Sequence, residues 1–326
     1  MLSTDKGRGS EAVREYVTAR ESAEHELVVF IERGGTLTIQ PGTRIVGEFA
    51  TLGTLVIERG EGMHVWDEQG NRYLDCFGGV LTVSVGHANA DVNRAIKEQV
   101  DKISHTSTLY INKPAAELGA TIARITPGNL NRSFFTNSGS EADETAILLA
   151  RLYTGRQEII ALRHAYHGRT MLAMSAAGHS TWRHGGTAVA GVHHAIAPYC
   201  YRCPFGQSYP DCGVKCAKDV EEVIQTTTDG KIAGFIAEPI LGVGGFIVPP
   251  KEYFGIVQEI VKRYGGIFIA DEVQTGLGRM GVHRWAFEAQ RVVPDIVVLG
   301  KPLGNGHPLA AVVTTRAIAD AFANGM

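Results

Sequence analysis

The sequence predicts an α/β fold with a mostly parallel central sheet flanked by helices, together with part of a small α+β domain. Two observations support this fold class. From residue 76 onward, short apolar segments alternate with amphipathic helical segments, a pattern typical of βα units around a parallel sheet. Before residue 76, short strand-like segments are separated by polar turns. We therefore predict the N-terminal part of the small domain at residues 1–75 and a large ligand-binding domain at residues 76–326.

The small domain is predicted to begin with a polar helical segment and to continue in short strands. Strand candidates are residues 54–58 and 63–67, and the second turns through Asp67–Asn71 before residues 72–75. These segments predict a small β-rich region behind the polar N-terminus.

The large domain contains five apolar segments that predict strands. They are residues 133–136, 159–162, 234–237, 267–270 and 296–299. Apolar residues at helical spacing predict helices near 92–103 and 253–261. Because open α/β sheets bind ligands at the carboxyl ends of their strands, we expect the five strand ends to form the rim of one pocket.

The composition indicates a globular protein whose partner is a small molecule. The formal net charge of −3 over 326 residues, with mixed signs, gives no basic cluster of the kind that nucleic acid or an anionic membrane requires. No apolar run approaches the roughly 18 residues of a membrane span, and residues 1–27 are too charged for a signal-peptide core. We therefore expect a cytoplasmic protein that binds neither nucleic acid nor a membrane.

The first rim segment leads from Thr136 through a small-residue turn into a helix predicted to begin at about Ser140. Backbone N–H groups at such a helix start, with the hydroxyls of Ser138 and Ser140, form an anion site suited to a phosphate. The alternative is a plain helix cap, in which Ser140 caps the helix and Glu141 and Asp143 complement its dipole. This segment alone leaves both interpretations open.

The next two rim segments carry an aromatic pair and a carboxylate. Tyr166 and His167 follow the predicted strand 159–162, where a ring can stack on a planar cofactor or cover the core. Glu238 ends the strand 234–237, and Pro239 breaks it. Neither segment identifies a ligand by itself.

The last two rim segments carry two carboxylates and a lysine. Asp271 and Glu272 end an otherwise apolar strand, and a buried carboxylate is costly unless it meets a cation or strong donors. A metal ion and a protonated ring nitrogen are the candidate partners. Lys301 directly follows the strand 296–299 in glycine-rich surroundings, where a desolvated amine near another cation becomes able to form a Schiff base.

The combination of these rim residues predicts a pyridoxal 5'-phosphate (PLP) site. A phosphate turn, a stacking ring, a carboxylate for a pyridinium and a Schiff-base lysine are the parts that PLP requires. A dinucleotide fold is the competitor, but no G-x-G-x-x-G follows the first strand of a βαβ unit. The lysine also favours a ring nitrogen over a metal as the partner of the carboxylate.

Three longer motifs carry a resemblance to a known enzyme family. They are Asn137-Ser-Gly-Ser-Glu-Ala, Ala165-Tyr-His-Gly-Arg-Thr, and the segment from Phe268 through Asp271-Glu-Val-Gln-Thr-Gly to Lys301. They resemble the phosphate-binding motif, the aromatic motif and the signature of the class III PLP-dependent aminotransferases of fold type I. The resemblance covers about residues 45–326 and implies the fold type I architecture.

The resemblance implies a role for each matching residue. Lys301 would hold the cofactor as a Schiff base and move a proton, and Asp271 would pair with the pyridine nitrogen, so these two are the expected catalytic residues. Val273 and Tyr166 would pack on opposite faces of the ring, and Gln274 would approach its hydroxyl. The full set expected to bind the cofactor is Ser138, Gly139, Ser140, Tyr166, His167, Glu238, Asp271, Val273, Gln274 and Lys301.

The implied activity is transamination. The amino group would pass from an amino acid or ω-amino acid, of the alanine, 4-aminobutyrate or β-alanine type, to a 2-oxo acid such as glyoxylate, pyruvate or 2-oxoglutarate. Glu238 would lie on the substrate side and form a switching salt bridge with an arginine. A class III aminomutase or decarboxylase shares the cofactor residues and is the alternative activity.

The resemblance also implies a homodimer and a longer chain. The family builds its site across a twofold interface, and residues Thr106–Tyr110 are a candidate contact with the partner's pocket. The sequence stops within a predicted helix at 317–324, so we expect the C-terminal part of the small domain to be absent. An inactive fragment is therefore a second alternative.

Four cysteines suggest a hypothesis of a different class. Cys200, Cys203, Cys212 and Cys216 have a spacing compatible with a tetrahedral zinc site in a loop. The simpler interpretation is reduced thiols in a loop near the pocket, so we assign no metal ligands. A zinc-stabilised binding module would contain stoichiometric zinc and no PLP.

Overall fold

The computed structural model describes residues 44–46, 56–185 and 188–323. The chain divides into two compact units, Met1–His105 and Thr106–Met326. The predicted domain boundary after residue 75 lies inside the first unit, which also contains the helix Ala90–Lys102. The helix predicted at the N-terminus lies outside the described residues.

The first unit contains a small four-stranded sheet. Its order is β1-β4-β3-β2, with β1 parallel to β4 and the other neighbours antiparallel. The strand predicted at 63–67 is confirmed, the one predicted at 54–58 overlaps β2, and residues 72–75 form a further strand. The strands are β1 (Arg44–Val46), β2 (Ile57–Glu61), β3 (His64–Asp67) and β4 (Arg72–Asp75).

One carboxylate stabilises the predicted turn between β3 and β4. Asp67 Oδ1 accepts the N–H groups of Gln69 and Asn71, at 3.1 and 2.8 Å. Asp67 Oδ2 accepts the hydroxyl of Tyr73 at 2.7 Å. Aspartate favours turns because its short side chain can satisfy nearby backbone donors in this way.

The second unit is built on a seven-stranded sheet in the order β5-β11-β10-β9-β8-β6-β7. Each adjacent pair from β10 to β7 is parallel, and β11 is antiparallel to both of its neighbours. Six strands therefore end along one side, which we call the carboxyl edge. The strands are β5 (Arg132–Thr136), β6 (Ile159–Leu162), β7 (Val192–Ala195), β8 (Gly234–Ala237), β9 (Ile267–Asp271), β10 (Ile296–Leu299) and β11 (Ala310–Thr314).

All five strands predicted for the large domain are confirmed, and two further strands were missed. β7 lacks a fully apolar run, because His193 and His194 occupy its centre. His193 is held there by Glu158, whose carboxylate lies 2.6 Å from His193 Nε2. β11 is apolar, but it runs antiparallel and interrupts the βα rhythm on which the prediction rested.

Helices pack against the strands of this sheet, and none in the described ranges is long and apolar enough to cross a membrane. The α-helices are α1 (Ala90–Lys102) in the first unit and α2 (Lys113–Ile125), α3 (Gly139–Thr154), α4 (Met171–Ala176), α5 (Lys215–Thr227), α6 (Tyr253–Arg263) and α7 (Arg316–Asp320) in the second. Short helical turns occupy Gly78–Leu81, Ser180–Trp182, Cys200–Arg202, Ala286–Gln290 and Lys301–Leu303.

Alternate residues of the central strands enter two hydrophobic cores. In β9, Phe268 and Ala270 pack into the core that contains α6, whereas Ile267 and Ile269 pack into the core that contains α3. Phe268 stacks on Phe254 of α6 with ring centroids 5.4 Å apart. Each large side chain buried in this way stabilises the fold by roughly 1.5–3 kcal/mol, so both faces of β9 are anchored before its polar end is reached.

Candidate active site

The loop between β5 and α3 leads into a capped helix start. Ser138 caps the helix, since its Oγ accepts the N–H of Glu141 at 3.3 Å, and Glu141 accepts the N–H of Asn137 at 2.7 Å. The alternative that Ser140 caps the helix is wrong, because the helix begins at Gly139. The N–H groups of Gly139 and Ser140 lie in the first turn, where a helix provides no acceptor, as an anion site requires.

Ser140 connects this turn to the loop after β6. Its Oγ accepts the N–H of Arg169 at 3.1 Å. Gly168, at a φ of +131°, lies so close that a Cβ there would overlap Ser140 Oγ. Glycine at this position is therefore what lets the two loops meet.

Val273 packs between two glycines that belong to different loops. A Cβ on Gly139 would lie 2.9 Å from Val273 Cγ1, and a Cβ on Gly300 would lie 2.8 Å from the same atom. Because a branched valine side chain is stiff, neither glycine can gain a side chain without displacing it. This contact brings together the anion site, the end of β9 and the residue that precedes Lys301.

Asp271 ends β9 and is buried beside a histidine. Its Oδ2 lies 2.7 Å from Nδ1 of His167, and its Oδ1 accepts the N–H of Val273 at 3.0 Å. The His167 side chain is 0% exposed, so this histidine orients Asp271. Of the two residues predicted to stack on a cofactor, Tyr166 keeps accessible surface and His167 is buried.

A second buried carboxyl group, Asp143 of α3, lies beside this pair. In the part of the chain that the structure describes, Asp143, His167 and Asp271 are the one group of potential metal ligands whose atoms lie within 4.8 Å of one another. The alternative that Asp143 complements the helix dipole is wrong, because its side chain is buried beyond the first turn. Burial raises the pKa of Asp143 well above its ordinary value, and the charges of Asp271 and Glu238 raise it further.

Glu238 follows β8 and holds two loops together. Its Oε1 accepts the N–H of Tyr166 at 2.9 Å, and its Oε2 accepts the N–H of Gly242 at 3.0 Å. Burial, reinforced by the charge of Asp271, raises the pKa of Glu238 to about 7. The salt bridge to an arginine that the resemblance implies stays a prediction.

Glu272, the other candidate carboxylate of β9, has neutral partners. Its Oε1 accepts the N–H of Phe287 at 2.9 Å, and its Oε2 accepts the hydroxyl of Thr275 at 2.7 Å. Burial raises its pKa to about 7. Of the two adjacent carboxylates, Asp271 therefore meets an ionisable partner, whereas Glu272 joins a hydrogen-bond network of the fold.

The remaining predicted residues also lie at the carboxyl edge. Tyr166 contacts Trp182 edge to face, with ring centroids 5.2 Å apart. Gln274 is buried against Gly242. A Cβ on Gly242 would lie 2.6 Å from Nε2 of Gln274. Lys301 opens the helical turn directly after β10 and is partly buried. All the predicted site residues thus end or follow β5, β6, β8, β9 or β10, while their contacts with a cofactor stay predictions.

The four clustered cysteines border a separate surface pocket. Among the described residues, no three of their sulfurs lie within 4.8 Å of one another. Burial, with the neighbouring thiols of Cys200 and Cys212, raises the pKa of Cys216 to about 12. The zinc site proposed from the spacing is thus not preassembled here, and it stays a hypothesis.

Most of the chain matches one known protein family. The class-III aminotransferase family matches residues 48–326. The chain belongs to the class-III aminotransferase family. The resemblance seen in the motifs is therefore confirmed, and with it the PLP dependence of the family to which this aminotransferase chain belongs.

Curated relatives of this aminotransferase chain include two alanine–glyoxylate aminotransferases. The mitochondrial alanine–glyoxylate aminotransferase 2 homolog 2 of Arabidopsis thaliana is 46% identical over 265 residues, which are 81% of this chain and 54% of that protein. The human mitochondrial alanine–glyoxylate aminotransferase 2 is 39% identical over 82% of this chain and 56% of its own length. The chain thus spans about half the length of these relatives.

Solved transaminases share the fold. A thermostable (S)-enantioselective omega-transaminase from Thermomicrobium roseum superposes with a TM-score of 0.80 at 36% identity, over 84% of this chain and 64% of that one. The omega-transaminase of Pseudomonas jessenii in complex with PMP gives a TM-score of 0.78 at 31% identity, over 83% and 62%. The predicted fold type I architecture of the aminotransferase chain is confirmed.

Proposed function

We propose that the chain provides the cofactor site of a transaminase that moves an amino group from an amino acid or ω-amino acid to a 2-oxo acid. The observation that supports this most directly is the meeting of three loops at Val273. Val273 lies close to Gly139 in the loop between β5 and α3, and to Gly300 just before the helical turn that begins at Lys301. Together with the buried Asp271, these segments lie at the carboxyl edge of the large sheet.

The residues at this edge fit PLP group by group. The first-turn N–H groups of Gly139 and Ser140 suit its phosphate, and the buried Asp271 suits a protonated ring nitrogen. Lys301 supplies the amine that binds it covalently. When bound, PLP supplies a protonated pyridine ring that accepts electron density from the substrate.

Two side chains of the chain itself do the chemical work in this proposal. Asp271 is held by His167 at 2.7 Å, so its negative charge needs no reorganisation during the reaction. Lys301 Nζ removes a proton from the substrate carbon and returns it elsewhere, first as base and then as acid. Pro302 stiffens the turn behind the lysine, because its ring locks the backbone angle φ.

The names of the relatives support a choice of substrates. We propose alanine as donor and glyoxylate as acceptor, by analogy with the alanine–glyoxylate aminotransferases of Arabidopsis and human. 4-Aminobutyrate and β-alanine are further donors to test, and pyruvate and 2-oxoglutarate are further acceptors. An aminomutase or decarboxylase would instead rearrange or shorten the donor without passing its amino group on.

A homodimer and a cytoplasmic location are further parts of this proposal. The exposed apolar run at the start of the second unit supports the dimer, since Leu109, Tyr110 and Ile111 are 85%, 72% and 91% exposed. Exposed apolar patches of this kind mark interaction sites. Sedimentation of the purified chain at several concentrations tests the dimer, and fractionation of the source cells tests the location.

Borohydride reduction in the presence of PLP, followed by peptide mass mapping, tests the cofactor site. We expect a phosphopyridoxyl adduct on Lys301 that disappears in Lys301→Ala. Lys218→Ala is the matched control, because Lys218 is exposed on α5. Labelling scattered over surface lysines, equal in both variants, would contradict the proposal.

Amino transfer is tested separately from cofactor binding. Incubation of the PLP-loaded chain with alanine and glyoxylate should yield pyruvate and glycine with ping-pong kinetics. An adduct at Lys301 without transfer to any of the acceptors would favour the aminomutase or decarboxylase alternative when the donor is consumed, and the inactive-fragment alternative when it is not.

A further inference from the structure

Two buried polar atoms beside Asp271 have no hydrogen-bond partner in the described part of the chain. They are Oδ1 of Asp143 and Nε2 of His167. An unpaired buried polar group costs about 1–3 kcal/mol, so each atom requires a partner. One polar atom each of Asp143, His167 and Asp271 lies within 4.8 Å of the others, so the three side chains are neighbours. A small side-chain movement or one bridging water can therefore pair the two unpaired atoms with each other.

A bond between these two atoms requires one proton, and the His167 ring indicates where that proton lies. Nδ1 of His167 faces Asp271 Oδ2 at 2.7 Å, so a neutral ring carries its proton on Nδ1 and presents a lone pair at Nε2. An ionised carboxylate can only accept a hydrogen bond, whereas a protonated one can donate. Asp143 can therefore pair with a neutral His167 only as the protonated acid.

The charges that face Asp143 favour this protonated form. Asp271 lies at the end of β9 and Glu238 follows β8, and both raise the pKa of Asp143, in addition to its burial. Lys301, after β10, is the cation that opposes them. His167, after β6, completes the groups around this carboxyl. Several ionised carboxylates crowded around one lysine would be costly in a buried site.

We propose that Asp143 is a positioning residue that, as a neutral acid, donates a hydrogen bond to His167 Nε2 and so keeps the His167 proton directed at Asp271. The group then carries one negative charge, located on Asp271. The consequence for a bound cofactor rests on the proposed function, but the hydrogen bond itself is a property of the chain alone.

Nitrogen NMR of the purified chain with ¹⁵N-labelled histidine tests the proposal without a cofactor. His167 is assigned by the loss of its signals in His167→Gln. We expect a neutral ring that carries its proton on Nδ1. Asp143→Asn should leave both ring signals in place, because the amide also donates to Nε2, whereas Asp143→Leu should shift the Nε2 signal. Asp101→Asn, on the exposed surface of α1, is the control.

A second readout uses the PLP-loaded chain. The pH midpoint of the bound cofactor's absorbance should be unchanged in Asp143→Asn and displaced in Asp143→Leu. A His167 ring protonated on both nitrogens at pH 7.5, or a displaced midpoint in Asp143→Asn, would overturn the proposal, as would a stoichiometric metal bound by Asp143, His167 and Asp271. If Asp143→Leu does not fold, the spectra of the wild-type chain and of Asp143→Asn still test the proposed hydrogen bond. If Lys301 takes up no cofactor, the proposed function fails while the NMR result stands.

Discussion

The carboxyl edge of the large sheet and the loop from Cys200 to Cys216 are both rich in reactive side chains, but the backbone arranges them differently. At the edge, His167 and Asp271 are 104 residues apart in the sequence and 2.7 Å apart in space. In the loop, four cysteines lie within 17 consecutive positions, yet no three of their sulfurs approach within 4.8 Å among the described residues. Closeness in sequence is therefore a poor guide to which side chains meet.

The difference follows from what holds each residue. The site residues follow strands that are hydrogen bonded within one sheet and packed between two hydrophobic cores. The cysteines lie on a short helical turn, a loop and the first turn of α5, with no strand among them. A ladder of strands dictates which ends are neighbours, whereas a loop leaves side-chain distances to local packing.

Replacing Asp271 with asparagine should have the largest effect on the reaction at the carboxyl edge. The substitution keeps the size of the side chain but removes the buried charge proposed to stabilise a protonated ring. We expect the reaction of the bound cofactor with an amino donor to slow about 10²–10³-fold, the range found when one oriented electrostatic group is removed. Stopped-flow absorbance after donor addition measures this rate. Adduct formation at Lys301 should persist, and an unchanged rate in Asp271→Asn would argue against the assigned role.

A substitution that disturbs the close packing at Val273 should have the next largest effect, on both stability and PLP binding. Gly300→Ala would place a methyl group 2.8 Å from Val273 Cγ1, and overpacking of this kind costs about 1–3 kcal/mol of unfolding free energy. We also expect weaker PLP binding, measured by absorbance titration. The double variant Gly300→Ala/Val273→Ala should recover part of both losses. Gly255→Ala is the control, because nothing lies within 4 Å of a Cβ at that position.

Glu272 allows a smaller test that concerns the fold alone. Its pKa in the folded chain is about 7, above the ordinary value of 4.5, so between these pH values the folded chain holds a proton that the unfolded chain has lost. Its protonation therefore stabilises the fold fully below about pH 4.5, and that contribution is lost as the pH rises to about 7. The slope is at most about 1.4 kcal/mol per pH unit.

Glu272→Gln should remove this slope. Glutamine can still accept the Phe287 N–H and can donate to Thr275, so the hydrogen bonds of Glu272 are preserved. Urea denaturation at pH 5, 6, 7 and 8 should show a flatter pH dependence than the wild-type chain. Glu259→Gln, exposed on α6, should behave as wild type. Equal slopes in Glu272→Gln and the wild-type chain would show that this carboxyl is ionised throughout.

The parts of the fold that the sequence predicted best are those governed by local apolar runs. The predicted bounds of β6, β8 and β10 agree with the structure at both ends, because each run is fully buried and stops at a polar residue or glycine. β7 was not predicted, because His193 and His194 interrupt its apolar pattern. Their partners in the folded chain, such as Glu158 for His193, are not visible in the local sequence.

The sequence predicted that the candidate site residues lie at strand ends, but it did not predict their contacts with one another. Lys301 and Asp271 stand out because a charged side chain directly follows or ends an apolar strand. Asp143 gave no such signal, since it stands between Ala142 and Glu144 in an acidic helix start that resembles an exposed surface. Its burial depends on the strands that α3 covers, which is tertiary information.

Substitutions in the cysteine loop should have the smallest effect on the cofactor site. Because the pKa of Cys216 is raised to about 12 by burial and by nearby thiols, few Cys216 side chains are thiolates at pH 8. A thiol-directed alkylating reagent should therefore modify exposed Cys200 faster than Cys216, as measured by peptide mass mapping over time. Simultaneous Cys200→Ser and Cys212→Ser substitution should leave the Lys301 adduct unchanged. Protection of all four cysteines from alkylation by added zinc would show that the loop closes around a metal. The spacing of the cysteines would then have predicted a site that the metal-free geometry does not show.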